Sequence, residues 1–98
     1  MGDEYTPDRA FTGGIFGMGG EPTYAGALSY MRRKYTRDLE GVDIAVWGIP
    51  LDTATTNRPG ARFGPAAIRA ASAQMAWHKP WPWRLDPFEK LAVVDHGD

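Results

Sequence analysis

Four stretches of the chain carry a readable alternation of apolar and polar positions. Between residues 23 and 39, Tyr24, Leu28, Met31 and Tyr35 fall at steps of four, three and four. That spacing draws one apolar stripe down a helix, with Thr23 as its cap and Gly41 just past its end. Arg32, Arg33, Lys34 and Arg37 load its C-terminal half with the charge a helix dipole favours there, and beside Asp38 and Glu40 they read as a solvated face. Residues 42–51 predict a strand. Val42, Ile44, Val46, Ile49 and Leu51 supply its apolar content, and Ala45 and Trp47 fill alternate positions, so both faces are expected to be buried. Pro50 donates no ladder bond and ends the pairing. After a loop over 52–64, Pro65 opens a helix over 65–76 whose buried stripe is Ile68, Ala71 and Met75. Residues 90–95 predict a second strand.

The remaining stretches have no period. Residues 1–22 read as an N-terminal arm whose Tyr5, Phe11 and Phe16 lie on something apolar. Its run from Gly13 to Gly20 lacks the Gly-Lys-Ser/Thr ending of a phosphate loop and follows no strand. Residues 77–89 form a loop that interleaves Trp77, Trp81 and Trp83 with Pro80, Pro82 and Pro87. Each indole offers roughly 150–250 Å² of surface, so the loop is expected to be buried, under further chain or at a subunit contact.

The element order is therefore arm, helix, strand, helix, strand, the last three forming a right-handed βαβ unit. Two parallel strands with two apolar faces do not make a domain, because parallel sheets need both faces covered. Residues 23–98 thus read as the N-terminal part of a single larger α/β domain. The remainder is expected on another polypeptide or missing from this one, and the isolated chain is expected not to fold.

Composition narrows the function. The 98 residues carry a net charge of -1, which gives nucleic-acid binding no electrostatic support. Zero cysteines exclude a disulfide scaffold, a thiolate zinc site and a thiol nucleophile. No apolar run is long enough to span a bilayer, and the acidic start Met1-Gly2-Asp3-Glu4 is unlike a signal peptide. A cytoplasmic protein with no membrane partner is expected.

The densest motif is Gly48-x-Pro50-x-Asp52, then Arg58-Pro59-Gly60-Ala61-Arg62-Phe63-Gly64-Pro65-x-x-Ile68-Arg69, then Val93-Val94-Asp95-x-Gly97-Asp98. In this order and spacing it resembles the ureohydrolase family of arginases and agmatinases, the agmatinase-like branch most of all. The pairs Ala76-Trp77 and Pro82-Trp83 are similar to bacterial members of that branch. The resemblance covers roughly residues 24–98.

The resemblance implies a three-layer α/β/α fold with a mostly parallel sheet, of which this chain supplies the arm, a helix and the first βαβ unit. It implies hydrolysis of a small guanidino substrate, agmatine or a similar compound, to urea and an amine. It also implies a homo-oligomer and a binuclear manganese centre, nickel in some relatives, that activates the attacking water. The family's ligand stretches, Gly-Gly-Asp-His, Asp-x-His-x-Asp and Asp-x-Asp, do not occur in this sequence. The chain is therefore expected to hold no catalytic residue and no metal ligand, these lying on the remainder of the enzyme or on another chain. Asp95, His96 and Asp98 invite a metal reading, but the family's matching Asp-x-Gly-Asp is not its ligand motif. Asp95 and Asp98 are expected to form a turn and to support neighbouring side chains.

Two sets of loop residues follow. Asp52, Thr55, Asn57 and Arg58 leave the C-terminal end of the first strand, where ligands bind in open α/β sheets, and are assigned to a substrate-pocket wall. Pro59, Gly60, Arg62, Gly64, Pro65 and Arg69 are assigned to the loop's architecture, with Arg62 and Arg69 bonding carbonyls or carboxylates across a subunit boundary. For Asn57 and Arg58 the wall and the architectural readings stand equal. The competing function is a catalytically inactive, truncated relative that binds a full-length homologue through its edge strand and tryptophan loop. A nucleotide-binding βαβ module is disfavoured, since no Gly-x-Gly-x-x-Gly follows the first strand.

Overall fold

Among the described residues three short strands form one sheet, and the last of the three in sequence lies in the middle. The computed structural model describes residues 9–17, 25–76 and 85–98. β1 (Lys34–Tyr35), β2 (Ile44–Trp47) and β3 (Val93–Gly97) are ordered β1-β3-β2, with both pairs parallel. Lys34 lies opposite Val94, and Ile44 opposite Val93. The β2–β3 register slips after Val46, which faces Asp95, because Trp47 faces Gly97 and leaves His96 as the extra residue of a bulge. Among the described residues three helices accompany the sheet: α1 (Arg9–Thr12), α2 (Gly64–Ala73) and α3 (Pro87–Lys90).

Between β2 and β3 the expected βαβ connection is present. Pro65 stands in the first turn of α2, where its missing N–H costs nothing. A 3-10 turn, Ala61–Phe63, leads into it. Asp86 caps α3 by accepting a bond from the Phe88 N–H at 2.9 Å, with Pro87 next in line. β3 begins at Val93 rather than at residue 90, since Pro87–Lys90 is helical.

The helix expected over 23–39 is not formed. Residues 23 and 24 lie outside the described set; from Tyr30 to Arg32 there is a single 3-10 turn, followed by β1. Met31 and Arg32 have φ of 51° and 54°, left-handed values that no α-helix tolerates. Long-range partners outbid the helical ladder. The Tyr30 N–H donates to Asp95 Oδ2 at 2.8 Å, the Met31 N–H to Ser72 Oγ at 2.8 Å, and the Thr36 N–H to the Asp95 carbonyl at 2.9 Å. Nor are Arg32 and Arg33 a solvated face: both are buried. Arg32 Nη1 donates to the Ala27 carbonyl and Arg33 Nε to the Met31 carbonyl, each at 3.1 Å, and the Arg33 guanidinium stacks on Phe88 at 4.0 Å.

Two burial expectations are also corrected. Of the stripe assigned to α2, Ile68 and Met75 are 58% and 60% exposed, and Ala71 is exposed as well. The buried positions are Ser72, Ala73 and Ala76. Small side chains let α2 sit close on the 30–32 turn, where Ser72 Oγ accepts from Met31 and donates to the Arg69 carbonyl at 2.9 Å. In β2, Ile44 and Trp47 are exposed, Trp47 by 66%, so its faces are not covered by the described residues. Among the described residues the buried apolar ones, Ala10, Ala73, Ala76, Ala92, Val93 and Val94, are all small. Of the arm, Phe11 meets Tyr35 edge-on at 6.1 Å, while Tyr5 lies outside the described residues. So do Trp77, Trp81 and Trp83.

Candidate functional site

The C-terminal ends of the parallel strands gather the polar side chains. Asp95 is the pivot. Its side chain is fully buried, and its two oxygens receive four N–H groups. Oδ2 accepts from Arg69 Nε at 2.7 Å and from the Tyr30 N–H at 2.8 Å. Oδ1 accepts from Arg69 Nη2 at 3.0 Å and from the Gly97 N–H at 2.9 Å. The Arg69 fork on α2 thus grips the central strand bidentately. Its third nitrogen, Nη1, donates to Asp98 Oδ1 at 2.8 Å.

These contacts set the charge states. Burial pushes the Asp95 carboxyl up, but the hydrogen bonds from Arg69, Tyr30 and Gly97, together with the Arg69 charge, outweigh it and hold the group below the ordinary carboxylate value. The Asp95 hydrogen bond raises Arg69 above its ordinary value; desolvation works against this, and the bond to Asp98 adds to it. Both partners are ionised across the physiological range.

At the strand ends two glycines fit where a side chain would not. Gly97 has φ of 90°, and a Cβ there would stand 2.7 Å from Tyr35 Oη. Gly48 packs on α2, where a Cβ would come within 2.9 Å of Pro65 Cβ. The strand ends and the helix start are therefore in close contact.

The second feature is the loop after β2. Asp52 is half-buried and turned toward the loop base, where it pairs with Arg62 Nη1 at 2.8 Å. Thr55, Asn57, Arg58 and Pro59 are exposed on the arc above. Gly60 adopts φ of 140° at the return, Arg62 stacks on Phe63 at 4.6 Å, and Gly64 and Pro65 open α2. Arg62 and Arg69 both bond carboxylates of their own chain, where contacts across a subunit boundary were expected. The structure brings Arg69 together with Asp95 and Asp98, and Asp52 with Gly60 and Arg62; Asn57 and Arg58 join neither group.

The chemistry of these groups does not suit a metal. Asp95 has its lone pairs engaged by N–H donors. His96, the extra residue of the β2–β3 bulge, meets Trp47 at 6.2 Å between ring centres. Among the described residues no three His, Cys, Asp or Glu side chains converge as a metal site. The implied binuclear centre therefore does not fit the residues described.

Sequence reasoning missed Tyr30, Ser72 and the buried Arg33–Phe88 stack. Tyr30 and Ser72 act through a backbone N–H and a hydroxyl, which leave no mark on apolar periodicity. The Asp86-Pro87 pair, a cap followed by a first-turn proline, is a readable signal for α3.

Comparison with known proteins gives the same answer from three directions. The Arginase family model matches residues 42–98. An agmatinase from Chromobacterium violaceum is 67% identical over 85 residues, covering 87% of this chain and 26% of that protein. The mitochondrial guanidino acid hydrolase of Homo sapiens is 48% identical over 73 residues, 74% of this chain and 20% of its own length. The crystal structure of a hypothetical agmatinase from Burkholderia thailandensis superposes with a TM-score of 0.87 at 58% identity, covering 94% of this chain and 30% of that one. The chain thus spans about a quarter of the length of the relatives it matches. Its parallel strands, its α2 connection and its strand-end motifs belong to an arginase-like α/β fold, and the chain is a member of the arginase family.

Proposed function

We propose that this chain is the N-terminal section of a metal-dependent ureohydrolase that releases urea and an amine from a small guanidino compound, with agmatine as the first substrate to test. The observation that carries the reading is the 67% identity to an agmatinase over 85 residues, a span long enough to hold the loop after β2. This chain contributes the first strands of the sheet, the Asp95–Arg69 lock and the loop over the strand ends. Manganese, or nickel, would be held by residues outside those described, in the remainder of the enzyme or in another chain, and no step of the reaction is assigned to this chain. A homo-oligomer in the cytoplasm is the setting that this reading favours. Among the described residues no helix is long and apolar enough to cross a membrane.

A second reading, an inactive relative that docks on a full-length homologue, draws support from the exposed apolar residues Trp47, Ile49, Leu51, Phe63 and Ile68 on β2, its following loop and α2. A fusion separates the two. This chain replaces the matching quarter of the Chromobacterium violaceum agmatinase, and urea release is measured with manganese or nickel. The substrates are agmatine, guanidinobutyrate, guanidinopropionate and guanidine. The enzyme reading expects turnover of at least one; a fusion that folds like its parent yet releases no urea from any of them refutes it.

A further inference from the structure

The loop after β2 is closed at its base by a single carboxylate oxygen. Asp52 Oδ2 accepts from the Gly60 N–H at 2.8 Å, from Arg62 Nη1 at 2.8 Å and from the Arg62 N–H at 3.5 Å. Thr55 Oγ1 adds a bond to the Asp52 carbonyl at 3.3 Å. The Asp52 side chain is only 11% exposed, whereas every residue from Thr53 to Pro59 is exposed. The result is a compact surface loop with its two ends tied together and its tip free.

The tip has chemistry for reading and none for reacting. It presents Thr53, Thr55, Thr56, Asn57 and Arg58, which offer hydroxyls, an amide and a guanidinium. The Arg58 side chain has no ion pair or hydrogen bond among the described residues, so its charge is uncommitted. The loop springs from the C-terminal side of β2, the side on which open parallel sheets bind their ligands. Loops of this kind, held on a rigid scaffold, are where substrate discrimination resides.

We infer that Asp52 is a positioning residue: by tying Gly60 and Arg62 it holds the tip so that Asn57 and Arg58 read the tail of a guanidino substrate, the end remote from the carbon that is attacked. The inference rests on the ureohydrolase reading above. A ligand with a tail then depends on the latch, and one without a tail does not. Asp52→Asn keeps an oxygen for the Gly60 N–H but loses the ion pair, so it falls between Asp52→Ala and the parent.

The test uses the active fusion and two ligands. The KM for agmatine reports the tail, and the competitive inhibition constant of the guanidinium ion reports the reacting end alone. Asp52→Ala is expected to raise the agmatine KM about tenfold while the guanidinium constant moves less than about threefold. Arg58→Ala removes no bond within the fold and takes a like charge away from the tail ammonium of agmatine, so it is expected to lower the agmatine KM selectively in the same assay. It carries the test if Asp52→Ala yields no folded protein. Parallel changes in KM and inhibition constant, or an agmatine KM unmoved in both variants, overturn the positioning role and leave the ureohydrolase reading intact. A folded parent fusion that releases no urea overturns that reading, and this inference with it.

Discussion

Removing Arg69 leaves a carboxylate stranded in the protein interior. In Arg69→Met the aliphatic stem is largely kept, but Asp95 loses two charge-assisted bonds, at 2.7 and 3.0 Å, and its only cationic partner among the described residues. Its remaining partners are the neutral N–H groups of Tyr30 and Gly97. Breaking a buried pair from one side costs about 3–5 kcal/mol. Two surviving backbone donors pull the expectation toward the lower end, about 3 kcal/mol. The lost bond to Asp98, whose side chain is 45% exposed, adds little. The assay is chemical unfolding of the fusion protein at pH 7 and again near pH 4.

The pH arm tests the cause. In the parent the Asp95 carboxyl is held below its unfolded value of about 3.9. Its stabilisation is therefore present above that value and lost as the pH falls through the folded pKa. In Arg69→Met burial prevails and the carboxyl titrates higher than in the unfolded chain. The penalty is then present at neutral pH and relieved as acid protonates the group. The deficit between variant and parent should shrink on going from pH 7 to pH 4. A deficit below about 1 kcal/mol at neutral pH, or one that is equal at both pH values, refutes the stranded-charge account.

Gly97→Ala should destabilise by about 1–3 kcal/mol, since it combines a positive φ with a clash against Tyr35 Oη. Adding Tyr35→Phe should recover part of that loss in the same unfolding assay, and no recovery would place the whole cost in the backbone. Ser72→Ala removes the acceptor of the Met31 N–H and should cost about 1–3 kcal/mol, with faster amide exchange at Met31 as the local signature. The 98-residue chain on its own should show no cooperative thermal transition, because among the described residues the buried apolar ones are only alanines and valines while Trp47, Ile49 and Ile68 stay exposed. Dispersed amide signals from a monomeric sample would contradict this.

Legibility along the chain follows how local the deciding forces are. β2 and α2 could be read because β-branched content and a first-turn proline act within a few residues. The turn at 30–32 could not. Its residues are sound helix formers, and what unwinds them is Asp95, 65 positions away for Tyr30, and Ser72 on a different element. α2 misled in another way: Ile68 and Met75 mark an apolar face, but not the one that meets the described sheet and turn. At the loop, glycine and proline announced the turn, whereas the choice of Asp52 as the acceptor depends on a return geometry that only the folded chain displays.

The strand order also has a temporal meaning. β1 and β2 both pair with β3, and Lys34 waits for Val94 about sixty positions later. At a synthesis rate of roughly 5–20 residues per second, that interval lasts about 3–12 s. Until β3 is made, neither earlier strand has its ladder partner, and the Ile44–Trp47 segment is an apolar strand without an edge to join. Such non-local pairing is slow and open to aggregation. The nascent chain therefore passes through a window in which a chaperone, or another copy, competes for β2 before the central strand arrives.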